Sequence, residues 1–210
     1  MGDASGDRAR LRYVRAEDAA GKRDILSTAL HLFVRDGLCE TTIRDIATRA
    51  GYSNPVLFKH FDSKDHLALH LFEQCYLGLF ADIDGALAGE SGFRAQLRAL
   101  IATYLRALDE DRDAVLFVQD NLRHFWPRVA PHVRSSSIVG AVRALLERGR
   151  SAKQVTDRLS LDLLTVGWLG ILQQFGRAWY FGDFKGKAIR HREQLEELLM
   201  RMAETRGRQS

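Results

Sequence analysis

Proline is scarce in this chain: 3 in 210 residues. Little therefore interrupts helices, and long Ala/Leu/Arg-rich runs predict a mostly helical protein. Cysteine is scarcer still. Cys39 and Cys75 are the only two, which excludes the disulfide framework of a small secreted fold. They read either as two unrelated reduced thiols or as a redox-sensing pair. No apolar run is long. The densest, Leu163 to Leu172, is far short of the ~20 residues a membrane span needs. Met1 to Arg12 is polar, without the apolar core of a secretory signal. The expectation is a cytoplasmic protein with no membrane partner. Neither sign of charge dominates: 31 Lys and Arg stand against 27 Asp and Glu, a net +4. That balance is compatible with nucleic acid without requiring it.

Catalytic signatures are missing too. There is no G-x-S-x-G, no H-E-x-x-H, no C-x-x-C and no phosphate loop of the right spacing, so no catalytic residue, metal or cofactor is expected. His66 and His70 stand four apart, with Glu73 beyond. That spacing can hold a metal, but it equally describes solvated histidines on the outer face of a helix.

What the chain does contain is concentrated between Thr41 and Lys64, TTIRDIATRAGYSNPVLFKHFDSK. Thr42 opens a short helix, and Asp45 sits where an acid reaches back to the cap. Ile43, Ile46 and Ala47 fall on one face. Ala50-Gly51 closes the helix, and Tyr52 and Ser53 make the turn. Pro55 disfavours helical geometry at Asn54, which predicts Asn54 as N-cap and a second helix from Pro55 to about His60. Leu57 and Phe61 point to the core, leaving Tyr52, Asn54, Val56 and Lys59 outward. Asp62-Ser63 reads as the cap of a third helix, with Lys64 in its first turn. A cation there opposes the helix dipole at a cost of roughly 0.3–1 kcal/mol. A phosphate would offset that cost, and plain solvation of the lysine is the alternative. Two short helices joined by a tight turn suit a helix laid in the major groove of DNA.

From Lys22 to Leu67 the chain resembles the TetR family of bacterial transcriptional regulators. The matching residues include Ile25, Ala29, Leu32, Phe33, Gly37, Thr41-Thr42-Ile43, Asp45-Ile46-Ala47, Ala50-Gly51, Ser53, Leu57, His60-Phe61, Ser63-Lys64 and Leu67. The resemblance implies that Thr42, Arg44, Ser53, Lys59, His60 and Lys64 touch or flank phosphates. It also implies that Tyr52, Asn54 and Val56 reach base edges. Pro55 and Val56 stand where the family commonly has glycine and threonine, and Phe58 stands where it has tyrosine. A borrowed operator sequence is therefore not expected to hold.

The expected architecture is all-α with nine helices. Residues 1–15 are an arm whose Arg8, Arg10, Arg12 and Arg15 lie along DNA or are simply solvated. Residues 16–63 form the helix-turn-helix domain, and residues 64–210 a ligand-binding and dimerisation domain. Helices are expected at about Glu17–Asp36, Lys64–Leu87, Phe93–Asp109, Arg112–Phe125, Val129–Arg148, Asp157–Phe181 and Ala188–Glu204. The stretch Leu161–Leu172 is apolar nearly all round, so it needs cover on more than one side. Gly167 and Gly170 permit close approach of a partner. Leu195, Leu198, Leu199 and Met202 on the final helix complete a four-helix interface across a two-fold axis. The other reading is the central helix of a monomer. A pocket for a small hydrophobic or aromatic effector is expected from Phe117, Asp120, Asn121, His124, Trp168, Gln173 and Arg177, because apolar walls with a few polar groups are the usual form of such sites. The expected function is a homodimeric, ligand-responsive repressor of a palindromic double-stranded DNA operator. The alternatives are a helical ligand-binding or catalytic protein keeping the motif as scaffold, and a regulator switched through Cys39 or Cys75.

Overall fold

The computed structural model describes residues 12–13 and 20–204. Among them every regular element is helical. In chain order these are α1 (Ala20–Asp36), α2 (Ile43–Ala50), α3 (Asn54–Phe58), α4 (Lys64–Ala88), α5 (Phe93–Phe125), α6 (Pro131–Ser135), α7 (Ile138–Ser151), α8 (Leu161–Tyr180) and α9 (Arg192–Ala203). Short 3-10 turns at Trp126–Arg128 and Ala188–His191 precede α6 and α9. Glu17 and most of the expected arm, with Arg8, Arg10 and Arg15, lie outside the described residues.

The described chain forms two compact units. One holds the residues up to Leu79 together with Asp111–Arg134, and the other holds Phe80–Glu110 and the chain from Ser135 onward. In the first unit α1 supplies Ile25, Leu26, Ala29 and Leu30, all fully buried. Ile46 of α2, Leu57 of α3 and Leu67 and Leu71 of α4 are buried with them. Each such Leu or Ile side chain contributes about 1.5–3 kcal/mol when removed from water. Phe33 stacks on Phe117 at 5.7 Å, so the second half of α5 shares this unit's core. The first unit thus takes in more of the chain than the expected 16–63. In the second unit Trp168 of α8 packs near Phe93, and Leu97, Leu145, Leu146 and Leu199 are fully buried.

Two expected helices are divided or shortened, and one expected break lies inside a continuous element. The expected pair 93–109 and 112–125 is a single element broken at Asp111, whose backbone (φ −150, ψ 64) is not helical. The expected 129–148 helix is split. Pro131 opens α6, and the Ser137 hydroxyl caps α7 by accepting from the Gly140 N–H at 3.0 Å. The expected start of α8 at Asp157 moves to Leu161. Arg150 donates to the carbonyls of Thr156 (2.8 Å) and Leu159 (2.6 Å), which holds those residues in a loop. Ser160 then caps α8 through the Leu163 N–H.

Candidate nucleic-acid interface

The helix-turn-helix is built by capping. The Thr42 hydroxyl accepts from the Asp45 N–H at 3.2 Å, and the Asp45 carboxylate accepts from the Thr42 N–H at 2.9 Å. The Thr42 hydroxyl also donates to the Asp45 carboxylate at 2.6 Å, and this bond, then the one from the Thr42 N–H, holds the Asp45 carboxyl below its ordinary range. This reciprocal box satisfies two N–H groups that a helix start leaves free. Gly51 ends α2 at φ 80, a conformation that costs glycine little. α3 begins one residue earlier than the sequence suggests. Ser53 (φ −86, ψ 154) is the N-cap, and Asn54 is already helical. Pro55 tolerates this register because the first-turn N–H it lacks has no helical acceptor. The helix stops at Phe58 rather than His60.

Burial sorts the surface. Leu57 and Phe61 are within 2% of full burial and anchor α3. Thr42 and Arg44 of the α2 region, and Ser53, Asn54, Lys59 and His60 around α3, are all exposed, while Val56 is half-buried. Together they form a polar, cationic surface around a short helix. Phe58, 51% exposed, and Arg49 belong to the same exposed set. In the sequence Phe58 stands out only as a replacement for the tyrosine common at this place. Its place next to the buried Leu57 in a 3.6-residue repeat is the signal that it faces away from the core.

Two of the expected contact residues are engaged within the chain. Tyr52 does not project freely. Its hydroxyl donates to the Asp24 carboxylate at 3.1 Å, and its ring covers Gly21, where an added Cβ would meet the Tyr52 oxygen at 3.2 Å. It ties the turn to α1. Lys64 is not a free cation either. Its ammonium donates to the carbonyls of Leu38 (2.8 Å), Cys39 (3.2 Å) and Thr41 (2.8 Å). An ammonium carries three donors, so the α1–α2 loop takes all of them. Carbonyl dipoles offset the charge that a phosphate was expected to meet. The cap before it is Ser63, whose hydroxyl accepts from the His66 N–H at 3.0 Å.

The residues expected to line an effector pocket divide between the two units. Phe117, Asp120, Asn121 and His124 belong to the first unit, and Trp168, Gln173 and Arg177 to the second. Asp120, His124, Gln173 and Arg177 are exposed. Asn121 donates to the Phe117 carbonyl of its own helix at 2.9 Å. Of these seven residues Trp168 alone has a buried polar atom, Nε1, without a hydrogen-bond partner. The expected dimer residues also divide. Gly167 faces its own chain, because a Cβ there would sit 2.8 Å from Met202 Cε. Leu195 and Leu199 are buried in the second unit. The outward stripe is instead Leu163 (58% exposed), Val166 (66%) and Gly170 on α8, with Leu198 (46%) on α9.

Cys39 is exposed and Cys75 is buried. Burial, then the Asp111 charge, pushes the Cys75 thiol well above its usual range, which suppresses the reactive thiolate. Glu73 accepts from the Ala130 N–H at 2.7 Å, and the His66 and His70 rings both pack against Phe61. Among the described residues no group of three or more His, Cys, Asp or Glu is arranged to hold a metal. No helix there is long and apolar enough to cross a membrane.

Residues 25–71 match the family described as bacterial regulatory proteins, tetR family. The chain is 35% identical over 113 residues to the transcriptional repressor KstR2 of Rhodococcus jostii, covering 52% of this chain and 55% of that protein. It is 28% identical over 182 residues to the transcriptional activator FasR of Mycolicibacterium smegmatis, covering 86% and 80%. The chain therefore spans about half the length of the first of these relatives. The structure of the ketosteroid regulator KstR2 of Mycobacterium tuberculosis superimposes with a TM-score of 0.79 at 20% identity, covering 94% of this chain and all of that one.

Proposed function

Because this chain belongs to the TetR family of bacterial regulatory proteins, we propose that it is a homodimeric repressor that binds a palindromic operator and leaves it on binding a mainly apolar effector. The observation that carries the reading is the exposed surface of α3. Asn54, Lys59 and His60 face outward over the buried Leu57 and Phe61, with Arg44 beside them on α2. Arg44, Lys59, His60 and the Ser53 hydroxyl supply phosphate contacts, which set orientation and most of the affinity. Asn54 and Val56 supply base preference. Tyr52 and Lys64 act as positioning residues that hold α3 and the loop ahead of α2.

Two half-sites about 34–36 Å apart require two reading helices related by a two-fold axis. The exposed apolar stripe Leu163, Val166 and Gly170 with Leu198 is the surface that supports pairing of two copies. The ketosteroid assignment of the superimposable KstR2 structure supports an apolar effector class. For release, that effector must favour the geometry that does not fit DNA, since equal affinity for both geometries shifts nothing.

The test is a gel shift and footprint on the DNA upstream of the chain's own gene. A protected palindrome, weakened by Lys59→Ala and steeply by salt, is the expected result. Equal retention of upstream and scrambled duplexes would remove the regulator reading.

A further inference from the structure

Arg12 and Tyr13, the described residues ahead of α1, are docked at the two points where the chain leaves the first unit. Those points are Leu79 to Phe80 in α4 and Glu110 to Asp111 in α5. The Arg12 N–H donates to Asp111 Oδ2 at 3.0 Å across 99 positions of sequence. The other carboxylate oxygen, Oδ1, accepts from the Ala114 N–H at 3.2 Å and so caps the second half of α5. Tyr13 is 7% exposed and lies on α4 at Gly78, where a Cβ would stand 2.2 Å from the Tyr13 ring. The Arg12 guanidinium sits 5.7 Å over the same ring. Two consecutive residues thus hold both elements, one by a hydrogen bond and one by a ring in a slot that only glycine leaves open.

A break inside a long helix needs a named cause, normally proline, glycine or an inserted group. At Asp111 the residue is neither, and neither of its neighbours, Glu110 and Arg112, is. The inserted group is the Asp111 carboxylate, which replaces a lost helical acceptor and takes the Arg12 N–H as its second donor. All these contacts lie within the first unit. We infer that Arg12–Tyr13 is a strap that fastens α4 at Gly78 to the break in α5 at Asp111 and sets how readily the chain opens there. This goes beyond the regulator reading and stands without it.

Native-state hydrogen exchange on the full chain tests the strap in three variants: Tyr13→Ala, Gly78→Ala and the double variant. Gly78→Ala fills the slot and expels the ring. The double variant removes the clash and gives α4 a better helix former. Expected is exchange at least about tenfold faster at residues 111–118 and 74–79 in all three, with other helices unchanged. Protection at 111–118 equal to the parent in Tyr13→Ala and in the double variant overturns the strap, whatever Gly78→Ala does. If Gly78→Ala fails to fold, the other two decide. DNA retention by the parent is scored separately, so failure of the regulator reading leaves the exchange result standing.

Discussion

The ammonium of Lys64 reaches back across 23 positions to the carbonyl oxygen of Thr41, at 2.8 Å. With Leu38 and Cys39 it completes a three-carbonyl cradle for the cation at the start of α4. The loop ahead of the helix-turn-helix therefore depends on this side chain. Lys64→Ala leaves those carbonyls to water and is expected to destabilise the fold by about 1–2 kcal/mol, read as a lower urea midpoint with unchanged slope. Unchanged stability with a salt dependence of DNA binding flattened by one phosphate would return Lys64 to the phosphates.

Asn54 is exposed at the start of α3, where recognition helices meet base edges. A bidentate amide contact to a base discriminates by about 1–3 kcal/mol. Asn54→Ala is expected to relax selection at one position of each half-site while leaving the salt slope alone. Selection from a random duplex pool, run on parent and variant, measures it. An identical consensus from both would take Asn54 out of the readout.

The helix-turn-helix was legible because its determinants are local. Thr42 and Asp45 cap each other three residues apart, Gly51 terminates α2 by its own conformation, and the apolar spacing buries Leu57 and Phe61. What escaped depends on residues distant in sequence. Nothing near Tyr52 reveals that Asp24 takes its hydroxyl, and nothing near Lys64 reveals the carbonyls 23 to 26 positions away. The break in α5 was visible as a gap in helix pattern, but the contact that joins the Asp111 carboxylate to the N–H of Arg12, 99 positions away, was not. Which side of α8 faces outward depends on contacts of the same distant kind. An all-apolar helix does not say which glycine meets its own chain, and Gly167 meets Met202.

Asp111 makes stability depend on pH. Burial, as the largest cause, raises its carboxyl from 3.8 to about 6, against the hydrogen bonds from Ala114 and Arg12, which lower it. The folded chain therefore binds more protons than the unfolded chain between those values, and stability falls as pH rises through that window. At about 1.4 kcal/mol per pH unit the loss is roughly 3 kcal/mol at most. Asp111→Asn cannot titrate, so the parent is expected to gain on it as pH drops from 7 to 4. Thermal unfolding across that range measures the difference. Parallel curves would show that Asp111 titrates normally.

Val166 and Leu163 stand more than half exposed on a helix whose opposite side is buried through Leu164, Trp168 and Leu172. Apolar side chains at that exposure, one turn apart beside Gly170, gain most by meeting a second copy of the same stripe. Val166→Glu places a charge in each half of such a contact, and charge pairs lacking partners are strongly unfavourable there. The expected outcome is a shift from dimer to monomer by sedimentation velocity, with helicity retained, and loss of binding to a full palindrome before loss of binding to a half-site. Gly167→Ala provides the contrast. Its methyl meets only the flexible end of Met202 of the same chain, and alanine is the better helix former, so it is expected to keep or raise thermal stability while leaving sedimentation unchanged at concentrations where the parent is paired. A Val166→Glu protein that sediments as the parent does would place the pairing surface elsewhere.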